Sequence, residues 1–173
     1  MRAIRTAAAV LVLAICAGAA YRLPLHRFEC ERARRTLERG LVELEGSSDD
    51  YRRMTFARDA HERATDCTEA FPHDYAMLMV KAASEQVLGL DREAIATYRR
   101  ALAANQRPEI YANLALVELR TGDYAAARRD LLTAAIFNIE YAKLVDDPLR
   151  SEIYAAITAR IERLQRRASG GGG

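Results

Sequence analysis

The stretch LMVKAASEQVLGLDREAIATYRRALAANQRPEIYANLALVELRTGDYAAARRDLLTAA, from Leu78 to Ala135, contains one helical hairpin written twice, the second copy shifted by 33 residues. Each copy turns on a glycine, Gly89 and then Gly122. Small residues keep step with these: Ala82 answers Ala115 before the glycine, and Ala94 answers Ala127 and Ala101 answers Ala134 after it. Bulky residues share the phase, Leu78 with Tyr111 and Tyr98 with Leu131. Alanines seven apart fall on one face of a helix and let a neighbouring helix approach closely. A glycine at the end of the first helix takes the left-handed conformation that stops it and turns the chain back. A period in this range marks stacked hairpins.

The segments GLDREAIATYRRAL (Gly89–Leu102) and GDYAAARRDLLTAA (Gly122–Ala135) resemble the tetratricopeptide repeat. A weaker third copy lies upstream, where Ala60, Cys67 and Pro72 stand 34 residues before Ala94, Ala101 and Gln106. The resemblance covers Tyr51 to Ala135 and is firm from Tyr75 onward. It implies an all-α chain: a short α-solenoid of antiparallel helical hairpins closed by a C-terminal capping helix. Lys81, Glu85 and Glu118 depart from the pattern, because the family places large apolar residues at those phases. The two glutamates are expected to pair with a nearby arginine such as Arg99 or Arg128, since a buried charge needs a partner.

With 173 residues, half of them hydrophobic, the chain can bury one core of domain size. No run of β-branched residues alternates as a strand would. The net charge of +2 is too small to argue for nucleic acid, and the arginine clusters Arg34-Arg35 and Arg99-Arg100 are interleaved with acids as on solvated helix faces.

Residues 1–20 have the layout of an export signal: Arg2 and Arg5 start it, Ala7 to Ala20 form an apolar run, and Ala17-Gly18-Ala19 offers a small-residue cleavage site. The run is shorter than the about 20 residues that cross a bilayer core. Cleavage, and retention as a thin membrane anchor flanked by Arg22 and Arg27, both fit. Cys16 follows Ile15, where a lipoprotein signal places a small residue. The repeat domain is therefore expected outside the cytoplasm, periplasmic or membrane-anchored.

Residues 24–72 form a first hairpin. One helix from Pro24 carries Cys30, Ala33, Leu37, Leu41 and Leu44 on a stripe, Gly46-Ser47-Ser48-Asp49 breaks it, and a second helix carries Tyr51, Met54, Ala57, Ala60, Ala64, Cys67 and Phe71 up to Pro72. In an antiparallel pair the numbers of facing residues add to a constant, and Cys30 with Cys67, Ala33 with Ala64, Leu37 with Ala60 and Leu41 with Phe56 all do so. That register sets Cys30 and Cys67 at one height, which predicts a disulfide and agrees with export. Two other readings stay open: a pair of buried free thiols, and a metal site that adds His26 and His73, although no CxxC pair is present.

Residues 74–136 hold the two clear repeats. Asp74 is placed to cap a helix from Tyr75 to Leu88, followed by Asp91–Ala104, Pro108–Thr121 and Tyr124–Ile136. Tyr141 to Val145 makes one turn. Asp147-Pro148 then opens a helix over 147–167, with Leu149, Ile153, Ile157, Ile161 and Leu164 on the side expected to cap the last repeat. Residues 168–173 form a flexible Gly-rich tail.

The sequence holds no HExxH motif, phosphate-binding glycine loop or nucleophile elbow, and His61 is followed by Glu62 without a second histidine one turn later. Asp49 and Asp50 sit where a turn and a helix cap use them. No catalytic residue, metal, cofactor or small-molecule substrate is expected. The resemblance implies a scaffold that binds a segment of a partner protein along the first helices of its repeats. The implied groove positions are Met79, Ala83, Gln86 and Val87, then Ala112, Asn113, Leu116, Leu119 and Arg120. Family members that grip a terminal carboxylate use lysine and asparagine there, whereas this chain offers only Asn113 and Arg120. A mostly apolar groove suits a helix. Three alternatives stand beside this: the face is covered by the chain's own last helix, the protein is a structural subunit of an envelope complex or homo-oligomer, or the Cys and His residues of the first hairpin make an enzyme site.

Overall fold

Helix starts and stops follow from local chemistry. A computed structural model describes residues 24–40, 42–43 and 49–170. In chain order these form α1 (residues 24–40), α2 (Asp50–Ala70), α3 (Tyr75–Val87), α4 (Asp91–Ala104), α5 (Pro108–Arg120), α6 (Tyr124–Phe137), a 3-10 turn over Ile139–Leu144, and α7 (Leu149–Gly170). No strand occurs among the described residues. Asp49 caps α2 by accepting from the Arg52 N–H, Asp74 caps α3 by accepting from the Ala76 and Met77 N–H groups, and Asp123 caps α6 by accepting from the Ala126 N–H. Pro108 opens α5, where its missing N–H costs nothing.

Gly89 and Gly122 end α3 and α5 in the left-handed region, at φ 73° and 84°. Both turns close the same way. The Leu90 N–H bonds to the Glu85 carbonyl at 2.9 Å and the Gly89 N–H to that of Gln86, and Asp123 and Gly122 repeat this on Glu118 and Leu119. A side chain at either glycine would meet nothing within 4 Å, so the backbone conformation alone requires glycine there.

Packing proceeds from neighbour to neighbour. The first core joins Cys30 and Leu37 of α1 and Ala60, Ala64 and Cys67 of α2 to Met77 and Val80 of α3. The second joins Leu78 and Ala82 of α3 and Ala94, Tyr98 and Ala101 of α4 to Ile110, Leu114 and Val117 of α5. Ala115 of α5 and Ala127, Leu131 and Ala135 of α6 then meet Ala142, Val145, Leu149 and Ile153. Each hairpin thus closes on the first helix of the next, and the 3-10 turn with the start of α7 takes that place for the last. This is the layout of a solenoid.

The first hairpin keeps the expected register. Cys30 and Cys67 are bonded, with Cα atoms 5.7 Å apart, and Ala33, Leu37, Ala60 and Ala64 lie in their core. Leu41, expected opposite Phe56, and Leu44 lie outside the described residues. The Phe56 ring instead fills the space that a side chain at Gly40 would need. The signal over residues 1–20, the Gly46-Ser47-Ser48 break and the glycines from 171 onward also lie outside the described residues. Among those described, no helix is long and apolar enough to cross a membrane.

Two boundaries move at the C-terminus. Pro148 precedes α7 rather than entering its first turn, while Asp147 accepts from the N–H and hydroxyl of Ser151. α7 also runs through Ala168, Ser169 and Gly170, which were expected in the tail. Its stripe caps the body only in part: Leu149 and Ile153 are buried, Ile157 is half-buried, and Ile161 and Leu164 are 50% and 55% exposed. The reason is length, since α7 has 22 residues against 14 in α6, which it packs on. At about 1.5 Å per residue it outruns its support by about 12 Å.

Candidate partner-binding face

The first helix of each repeat is the enclosed one. No residue of α3 is exposed, and in α5 only Arg120 is, whereas α4 exposes Arg92, Glu93, Ala96, Arg99 and Arg100. The face on which a partner was expected lies on α3 and α5, and the structure treats its nine residues differently. Met79, Ala83 and Val87 of α3 are partly exposed, with Met79 also packed against the second core, and Asn113 is partly exposed on α5. Ala112 is fully buried and so cannot touch a ligand directly. Leu116 and Leu119 are partly exposed and pack at the edge of the core that holds Ala115, Leu131 and Leu149.

Gln86 and Arg120 tie the repeats together. The Tyr98 hydroxyl donates to Gln86 Oε1 at 3.1 Å. The Arg120 guanidinium clasps both carboxylate oxygens of Asp91 and donates to the Gln86 carbonyl. Arg120 at the end of α5 therefore latches onto the α3–α4 turn, and its charge is already matched.

The two polar departures are both buried, with different partners. Glu118 is 1% exposed and Arg99 Nη2 donates to its Oε1 at 3.1 Å, as expected. Asp130 of α6 lies close to it, and Glu118 Oε2 is buried without a hydrogen-bond partner among the described residues. Burial, then the nearby Asp130 charge, pushes the Glu118 carboxyl up to about 7 against the pull of Arg99, and burial raises Asp130 too. Among the described residues no arginine pairs with Glu85. Its Oε1 lies 3.9 Å from Lys81 Nζ and 3.8 Å from His61 Nδ1 of α2, Thr97 of α4 lies close by, and its Oε2 is buried without a hydrogen-bond partner among the described residues. Burial raises its pKa, while Thr97, Lys81 and His61 oppose the rise. Arg128, the other expected partner, pairs instead with Glu152 of α7 at 2.8 Å. Thr97 and Asp130 went unread in the sequence, although a signal was present: they are offset by the same 33 residues as Glu85 and Glu118.

Around the first hairpin, His26 stacks on Phe71 at 5.8 Å between ring centroids, and the two sulfurs are spent on each other. Among the described residues no group of three His, Cys, Asp or Glu side chains is placed to hold a metal.

No family model and no curated protein sequence matches the chain. Its fold is similar to the crystal structure of a thermophilic TPR protein from Thermus thermophilus, with a TM-score of 0.55 and 22% sequence identity over 73% of this chain. The chain spans 62% of the length of that structure. The periodic alanines, the paired glycine turns and the neighbour-to-neighbour cores thus converge with this likeness, and the chain has the tetratricopeptide-repeat fold.

Proposed function

We propose that the protein is an exported, non-catalytic scaffold that captures an apolar helical segment of a partner protein along α3. The fold supports a protein-interaction scaffold in general. The observation that carries the finer reading is the row Met79, Ala83 and Val87, apolar and partly exposed at helical spacing on α3, where Tyr75, Ala76, Lys81 and Gln86 are partly exposed as well. Such a row, spaced four and four along one helix, matches the ridge of an incoming helix. Export is supported by the Cys30–Cys67 bond, which persists in oxidising compartments, and by the layout of residues 1–20.

The test is a photo-crosslinking amino acid placed at Ala83 and, as control, at the exposed Ala96 of α4. The reading requires one partner crosslinked from Ala83 and lost in an Ala83→Glu/Val87→Glu variant of unchanged melting temperature. Equal adducts from Ala96, or a variant that unfolds, would remove the groove.

A second reading has its own observation. Ile136, Phe137, Ile139 and Leu144 are 38–68% exposed at the end of α6 and in the turn after it. Such a patch suits a structural subunit that self-associates. Light scattering separates the two: a monomer that loses no mass on Phe137→Ser excludes the second.

A further inference from the structure

We infer that the overhanging half of α7 docks on an anionic lipid surface. From Arg160 to Ser169 every residue is exposed. The packed first half of α7 nucleates the helix, and this second half runs on with its apolar side chains uncovered. Ile157, Ile161, Leu164 and Ala168 fall at steps of four, three and four and make a narrow apolar stripe. Arg160, Arg163 and Arg167 follow at their own helical spacing along one flank, and Arg166 lies behind them. Glu162 is the single acid in the segment, 4.0 Å from Arg166.

Charge decides the occupant. A second copy of this helix would set four arginines against four, whereas an anionic headgroup layer complements them. The stripe presents only two large exposed side chains, Ile161 and Leu164, too few for the core of a stable protein interface but suited to shallow insertion at the headgroup boundary. Arginines beside the stripe can lay their aliphatic stems along it and keep their guanidinium groups among the phosphates. This reading does not depend on a partner on α3 or on the N-terminal segment.

The chain contains no tryptophan, so Ile161→Trp in the full-length protein provides a single local reporter. With vesicles containing phosphatidylglycerol its emission is expected to move to shorter wavelength and to be quenched by brominated acyl chains, with no change on pure phosphatidylcholine. Adding Arg160→Gln, Arg163→Gln and Arg167→Gln is expected to weaken the anionic partition about a hundredfold, at about fivefold per arginine. A Phe137→Trp control is expected to stay unshifted. Unshifted emission from the Ile161→Trp reporter on anionic vesicles would overturn the proposal and leave the stripe to a protein partner. An equal shift on neutral vesicles would overturn its electrostatic basis. A shift that needs only rising protein concentration would assign the stripe to a second copy.

Discussion

The hairpins α1–α2 and α5–α6 both present alanine seams, yet only the first is closed by a covalent bond. α5 contributes Ile110, Ala112, Leu114, Ala115, Val117 and Glu118 as buried residues, whereas the described part of α1 buries only Cys30 and Leu37. A fully buried Leu, Ile or Val is worth about 1.5–3 kcal/mol, so α1 is short of the burial that holds α5. The disulfide closes a separation of 37 residues, worth about 4 kcal/mol in the loop-entropy picture, and offsets that shortage. The difference teaches that repeat packing is self-sufficient where the period is regular and needs a staple where it decays.

Removing the staple is the strongest way to break this contrast. Cys30→Ser with Cys67→Ser is expected to destabilise the first hairpin by about 4 kcal/mol, read as an earlier unfolding transition in denaturant, while the α4–α6 transition stays in place.

The buried acids sharpen the contrast next, because the later repeats carry a liability that the first hairpin lacks. Glu118 has a folded-state pKa raised from 4.5 to about 7. That stabilisation is present below pH 4.5 and is lost as pH rises through about 7, and because Asp130 is raised with it the loss belongs to the Glu118–Asp130 pair. Chemical denaturation from pH 4.5 to 8 is expected to show this fall, and Glu118→Gln to flatten it. An unchanged slope in the variant would assign the dependence elsewhere.

Filling the seam tests the self-sufficient part directly. Ala101 is fully buried between α4 and its neighbours. Ala101→Leu is expected to cost about 2 kcal/mol through overpacking, whereas Ala96→Leu on the exposed side of α4 is expected to leave the melting temperature unchanged.

The smallest effect is at the turns. Gly122→Ala is expected to cost about 1 kcal/mol, since the strain at φ 84° remains even though space is open. An unaltered melting temperature there would show that the α5–α6 turn relaxes freely.

Much of this architecture was legible because it is set within one turn of chain. Asp74, Pro108, Gly89 and Gly122 act on their own neighbours, and the alanine period fixes which faces meet. The Cys30–Cys67 register followed from counting along two facing stripes. What escaped depends on where a neighbour ends or which residue faces it across a gap. The stripe of α7 looks uniform from Leu149 to Leu164, and nothing in it says that α6 stops supporting it midway. Glu85 gave no sign that His61, from the preceding hairpin, lies beside it. Ala112 was expected at the groove, and a repeat motif does not record that its side chain is fully buried. Gln86 and Arg120 looked available for a ligand because their partners, Tyr98 and Asp91, lie in another helix of the stack.

Amide hydrogen exchange on oxidised and reduced protein tests the central contrast most directly. Reduction is expected to strip protection from α1 and the start of α2 while the amides of α4, α5 and α6 keep theirs. Loss of protection in α5 and α6 together with α1 would show that the staple holds the whole solenoid, and that the regular repeats do not stand by themselves.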